Sequence, residues 1–293
     1  MKSYPYKKID AFTSAASLGN PAACIYLGLE DSLTEDEMLA VAKQHKGFVS
    51  EMVYCKKSDA FTFDLIYYSS ECEVDFCGHG TIACMYSLIK DSPELLEQPE
   101  LFIRTRKKGT LTLYNKVMEQ DAVFITAPEV KQMGTHLIAE EIAVELDIQP
   151  QQISDLLPVD VLDAGLVTLL VLIHSLADEI HITPDEARLK QFCLQQGLDI
   201  VLVFCMETAD QTQFAHTRVF APKFGYLEDP ATGSGNSAFG YYALKNNLWQ
   251  GEPISIEQGG AGMVYNTVRL MTQDQKVLFG GRATDRIIGS YQL

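Results

Sequence analysis

The stretch Glu73 to Lys90, EVDFCGHGTIACMYSLIK, decides the fold, because a second copy of it follows at Glu228 to Lys245 as EDPATGSGNSAFGYYALK. Aligned without gaps, Glu73 meets Glu228, Gly78 meets Gly233, Gly80 meets Gly235, Ala83 meets Ala238, Tyr86 meets Tyr241 and Lys90 meets Lys245. Each copy is a Gly-x-Gly turn running into an apolar segment of helical length with few charges on any face. Such a segment is expected to form a helix buried all round. Two such helices imply two similar halves whose helix N-termini face one shared cleft. Exposed backbone N–H groups and the helix dipole would favour a bound anion there.

The 293 residues suffice for two domains, and 47% hydrophobic with 21% charged residues is a globular composition. A net charge of −16 argues against nucleic acid and anionic membranes as partners. No apolar run has the length of a signal peptide or approaches the roughly 20 residues of a membrane span, so a cytoplasmic protein is expected. The seven cysteines are odd in number and form no CxxC pair, and the six histidines are scattered. They read as free thiols without zinc-type spacing, and no metal is expected.

Along the chain, strands are expected on either side of the Gly19-Asn20-Pro21 turn. Ser32-Leu33-Thr34-Glu35 has the form of a capping box opening a helix that closes near Gly47, and a strand follows from Phe48 to Cys55. The second half repeats this pair: Thr183-Pro184 opens a helix, Gly197 ends it, and LDIVLVFC forms the strand Leu198 to Cys205. In that register Glu51 corresponds to Val201, a carboxylate in place of a core aliphatic in one copy only. Further strand-like runs around only two central helices suggest two sheets, each curled about its own helix, rather than alternating βαβ units. The polar segment Glu129 to Pro158 reads as linker and domain boundary. The expected division is residues 1–128, completed by a C-terminal strand at about 283–293, and residues 129–282.

DAFTSAASLGNPAA near the start, FVSE at Glu51, EVDFCGHGTIA, TRVFAPKFGYLEDPATGSG, Glu257-Gln258-Gly259 and the closing Gly280-Gly281 together resemble the PhzF-like family, named for a phenazine-biosynthesis isomerase. The resemblance covers essentially the whole chain. It implies an α+β, diaminopimelate-epimerase-like fold of two pseudo-symmetric lobes, each a barrel-like sheet around a central helix, with the active site between them. It also implies catalysis without metal or organic cofactor on a small carboxylic acid, and a homodimer.

On that resemblance Glu51 is the general acid and base, with His79 and Asp229, one from each glycine turn, orienting the substrate or relaying protons. Independently, a carboxylate with Val49 and Val53 as face neighbours is expected to be partly desolvated, a setting that favours proton transfer near neutral pH. The structural alternatives are a solvated strand-end glutamate, a packed histidine and an aspartate N-cap. Gly78, Gly80, Gly233 and Ser234 would offer N–H groups, and Ser234 a hydroxyl, to a substrate carboxylate, unless the glycines serve only the turn. Asn20 is a further candidate for lining the cleft. Arg218 reads as structural, a partner for Glu228 or Asp229.

In the racemases and epimerases of this fold, a pair of thiols, one in each turn, works on the two faces of a stereocentre, and Cys77 sits where the first does. The second-turn position reads as Asp229, so that pair is absent and a buried thiol is the ordinary reading of Cys77. Cys84 reads as packing. The residues thus point to an isomerase that moves a proton on one carbon frame. A racemase using Cys77 and a non-catalytic acid-binding protein are the alternatives.

Overall fold

A computed structural model describes residues 2–14 and 16–293; Ala15, inside the first family motif, lies outside them. The chain divides into two compact units. One runs to Thr126 and resumes at Gly280–Leu293; the other is Ala127–Phe279.

In the first unit Ser3–Ala11 and Asn20–Leu27 pair antiparallel, and Glu51–Lys57 lies parallel to the second of them. Thr62–Tyr68 turns back beside Glu51–Lys57, holds the two-residue strand Glu73–Val74, and runs parallel to Glu100–Thr105. Gly109–Lys116 and Ala122–Thr126 follow as a meander, and Ala283–Gln292 returns antiparallel to Ser3–Ala11. The second unit repeats the order. Asp160–Asp163 and Val167–Leu172 are antiparallel, Ile200–Cys205 is parallel to the latter, and Ala215–Phe220 turns back beside it. Ala215–Phe220 holds Glu228–Asp229 and runs parallel to Ile254–Gln258, which Asn266–Gln273 follows.

Each unit curls about one helix. Gly78–Asp91 packs on Ser3–Ala11, Asn20–Leu27, Glu51–Lys57, Ala122–Thr126 and Ala283–Gln292, and nearly all its residues from Gly80 to Ile89 are buried. Gly233–Lys245 packs on Asp160–Asp163, Val167–Leu172, Ile200–Cys205 and Asn266–Gln273. The absence of a polar face in both sequences is therefore a consequence of enclosure. Amphipathic helices cover the other side of each sheet. Glu35–Gln44 lays Met38, Val41 and Ala42 on Ile25, Met52 and Tyr54. Ala139–Leu146 and Glu186–Gln196 bury Ile142, Leu146, Leu189 and Phe192 with Leu169, Val201 and Val203. The segment read as a linker thus supplies part of the second core, because Ile142 and Leu146 fall on one helical face.

Two helix starts and one register differ from the sequence reading. The capping box is Thr34 with Glu37: the Glu37 N–H donates to Thr34 Oγ1 at 3.2 Å and the Thr34 N–H to Glu37 Oε2 at 2.8 Å. In the second copy Asp185 caps, accepting from the Arg188 N–H at 2.8 Å. In the ladders Tyr68 faces both Met52 and Glu73, as Phe220 faces both Val201 and Glu228. Met52 is therefore the counterpart of Val201, and Glu51 that of Ile200. Matching the two strands on their closing cysteines, Cys55 and Cys205, is one position out of step with the ladders. Side chains alternate faces along a strand, so the corrected register puts Glu51 on the side of the central helix. The carboxylate still replaces an aliphatic.

The C-terminal strand is tied in by a buried cation. Lys7 Nζ donates to Ser87 Oγ and to Asp285 Oδ2, both at 2.8 Å, and to Asp91. Desolvation works to lower the pKa of Lys7, but Asp285 and Asp91 more than offset it, so the folded value lies above the ordinary one. Replacing Lys7 by Met would leave Asp285 with the Ser87 hydroxyl but without its cation and is expected to cost about 2–3 kcal/mol, read as a lower denaturant midpoint. The ammonium's contribution is complete below the ordinary lysine pKa of about 10.4 and is lost as pH rises through the higher folded value. The gap between wild type and Lys7→Met should stay constant from neutral pH to about that value and close above it.

Candidate functional site

Cys77 occupies the N-cap of the Gly78–Asp91 helix with φ −124° and ψ 107°, and its Sγ accepts the Gly80 N–H at 3.2 Å. A thiol thus does what serine or threonine usually does at this position. His79, in the first turn, reaches the first residue of the Glu51–Lys57 strand, and its Nε2 lies 3.1 Å from Glu51 Oε2. Cys77 Sγ stands 3.6 and 3.7 Å from His79 Nδ1 and Nε2, and 3.9 Å from Glu51 Oε2. The side chains of His79 and Glu51 are 15% and 21% exposed, open enough to meet a ligand and closed enough to be partly dry.

Burial works against the imidazolium, but the Cys77 sulfur and the Glu51 carboxylate outweigh it and hold His79 well above the ordinary histidine value. Burial pushes the Cys77 thiol up; His79 and the Gly80 amide oppose this and Glu51 adds to it. The setting thus favours the protonated imidazole and disfavours the thiolate. Val49 is not a neighbour of Glu51 on its face: it precedes the strand and packs with Met38, Val41 and Met52. Val53 does share the Glu51 face, where its Cγ2 meets Gly80 of the helix opening. The polar atoms of Glu51, Cys77 and His79 all lie within 4.8 Å of one another. Cysteine and histidine spacings could not show this set, because its third member is 26 positions from Cys77.

In the second unit Thr232 is the N-cap of the Gly233–Lys245 helix, with φ −122° and ψ 109°. Thr232, not Asp229, is therefore the counterpart of Cys77. Its hydroxyl donates to Asp229 Oδ2 at 2.5 Å. Gln258, fully buried, donates from Nε2 to the Asp229 carbonyl at 2.8 Å. Its Oε1 accepts from the Thr232 N–H at 3.0 Å and from Asn236 Nδ2 at 2.8 Å. Asn266 Nδ2 adds a bond to the Pro230 carbonyl at 2.8 Å. The turn holding Asp229 is thus fixed by two buried amides that the sequence reading did not single out as site residues. Their signal was an uncharged amide closing one strand, ISIEQ, and another opening the next, NTVRL.

The other candidates separate. Gly78 and Ser234 are half-buried at the two helix openings. The amide of Gly80 is taken by Cys77, and a Cβ there would stand 2.9 Å from both Cys77 Sγ and Val53 Cγ2. A Cβ on Gly233 would lie 2.3 Å from the Phe279 ring, so close packing requires that glycine. Asn20 is fully buried opposite Ala11. Arg218 is structural: it binds Glu228 through Nε and Nη2 at 2.9 and 2.8 Å and donates from Nη1 to the Glu179 and Ile182 carbonyls at 2.9 and 2.7 Å. Among the described residues no helix is long and apolar enough to cross a membrane.

The family model of phenazine biosynthesis-like proteins matches residues 9–289. The chain belongs to this family. Membership places it among isomerases: an uncharacterized isomerase, YfhB, of Bacillus subtilis is 29% identical over 88% of this chain and 87% of its own length. Another, YddE of Salmonella typhimurium, is 26% identical over 94% of each chain. A crystal structure of a PhzF-family phenazine biosynthesis protein from Bacillus anthracis superimposes with a TM-score of 0.83 at 25% identity, covering all of both chains. A probable proline racemase from Agrobacterium radiobacter, at 12% identity and a TM-score of 0.58 over 99% of this chain and 92% of its own, shares the fold. The phenazine biosynthesis-like chain thus has the expected α+β fold of two lobes, each a barrel-like sheet about a helix.

Substituting Gly233 by Ala is expected to destabilise the protein by about 1–3 kcal/mol through overpacking against Phe279, more than helix propensity returns. Thermal denaturation checks this.

Proposed function

We propose that the protein is a cofactor-independent isomerase of a small carboxylic acid, with Glu51 moving a proton from one carbon of an activated frame to another. The observation that carries this is the 3.1 Å contact of His79 Nε2 with Glu51 Oε2 at the open end of a buried helix. A general base needs a hydrogen-bonded partner that holds its orientation, and a single carboxylate that gives and returns a proton suits a transfer within one conjugated frame. His79 orients Glu51 and supplies positive charge for a substrate carboxylate. The amides at the helix opening favour the same anion. Asp229 is assigned an assisting role from the family resemblance, and its fixed turn supports that reading.

A second reading is favoured by the position of Cys77, whose sulfur touches both His79 and Glu51. In a racemase Cys77 would itself carry the proton. Against it, the matching position in the second unit is Thr232, which has no thiol.

Incubating hydroxy and amino acids with the protein in deuterated water, and following exchange by NMR, tests both readings. Glu51→Gln is expected to lower exchange by roughly 10²–10⁴-fold and Asp229→Asn to lower it less. Equal exchange by wild type and Glu51→Gln removes the assignment. Exchange abolished by Cys77→Ser but retained by Glu51→Gln selects the racemase. An acid that binds without exchange or turnover marks a binding protein.

A further inference from the structure

We propose that Thr232 and Gln258 are positioning residues that hold Asp229 as an accepting carboxylate, one that takes a hydrogen bond or a proton from the substrate and does not act as an acid toward it. Backbone groups that cannot change role fix the direction of the hydrogen bonds around this turn. Gln258 lies between the Thr232 N–H, which can only donate, and the Asp229 carbonyl, which can only accept. Its Oε1 must therefore face the first, at 3.0 Å, and its Nε2 the second, at 2.8 Å. Asn236 is oriented in the same way: its Nδ2 donates to the Thr232 carbonyl at 2.9 Å and to Gln258 Oε1 at 2.8 Å. Both amides are fully buried, so neither can turn over without leaving polar atoms unpaired.

The second hydrogen on Gln258 Nε2 then points to Thr232 Oγ1, at 3.3 Å. The hydroxyl accepts there, and its own proton goes to Asp229 Oδ2 at 2.5 Å. Thr232 is buried, so its O–H needs a protein acceptor, and the carboxylate is that acceptor. A hydrogen bond donated to a carboxylate oxygen favours the ionised form, whereas a proton on Oδ2 would face another donor. The neighbouring charges are engaged elsewhere. Glu228 alternates to the opposite face of its short strand, where Arg218 binds it. Glu257 alternates away from Gln258 and accepts the Ala209 and Asp210 amides. That Asp229 meets the substrate rests on the function proposed above; the hydrogen-bond directions do not.

The test follows the Asp229 carboxyl by carbon NMR in protein labelled at the aspartate side chains, with Asp229→Asn to assign the signal, and needs no substrate. Asp229 is expected to titrate at higher pH in Thr232→Val than in wild type, and Thr232→Ser, which restores the hydroxyl, to bring it back. Each variant is checked for folding by circular dichroism. Where Thr232→Val does not fold, Gln258→Met, which removes the donor to the hydroxyl, is read in the same way. In the deuterium-exchange assay Thr232→Val should lower kcat by about ten- to a hundredfold with KM nearly unchanged, and should move the acidic limb of the kcat profile to higher pH. Thr232→Ser should recover most of the rate. Equal titration of Asp229 in wild type and Thr232→Val overturns the proposal, as does a Thr232→Ser variant as slow as Thr232→Val. A moved titration without exchange by wild type keeps the hold on Asp229 and removes the isomerase reading. Exchange with an unmoved titration removes the positioning role alone.

Discussion

A helix enclosed by strands along its length can meet a ligand only at its end, and that constraint organises each unit. The Gly78–Asp91 and Gly233–Lys245 helices are surrounded by the strands of their own units, so their flanks are committed to packing. At the N-terminus of a helix the first amides have no partner within it, and something must satisfy them. In the first unit this falls partly to the Cys77 sulfur, in the second to the Gln258 and Asn236 network around Thr232. The chemistry gathers where the fold has unsatisfied polar groups.

Duplication makes the two openings comparable, and their differences carry the function proposed for them. The backbone angles of Cys77 and Thr232 agree within a few degrees, so the same cap conformation is used twice with different atoms. Glu51 replaces Ile200, and Asp229 replaces Val74, each at one ladder position. A carboxylate taken largely out of water is costly unless it is paired, and Glu51 has His79 for that purpose. In the other unit the threonine hydroxyl turns to Asp229, and Gln258 holds the carbonyl of the same residue. Each lone carboxylate thus has its own set of supporting polar groups.

Much of this was legible in the chain. The twin glycine turns, the all-round apolar helices and the helix-strand pair at half-chain spacing show a repeated unit, because burial on every side removes the polar stripe and a sharp turn requires glycine. Glu51 stood out because a carboxylate interrupts an apolar strand. Less legible were Gln258 and Asn266, uncharged amides whose value lies wholly in which carbonyls they reach. The segment around Ala139–Leu146 looked polar because only one face of a short helix is committed to the core.

By itself, the sequence determined the repeat, the family and the residue types at the two turns, since these depend on local pattern and order along the chain. Tertiary structure alone decided that Glu51 is opposite Ile200 in the repeat, that Cys77 answers to Thr232, and that Glu51, Cys77 and His79 share one point in space. The physical reason is that register and side-chain convergence follow from ladder hydrogen bonds and from packing around a buried helix. Neither is encoded in the spacing of residues along the chain.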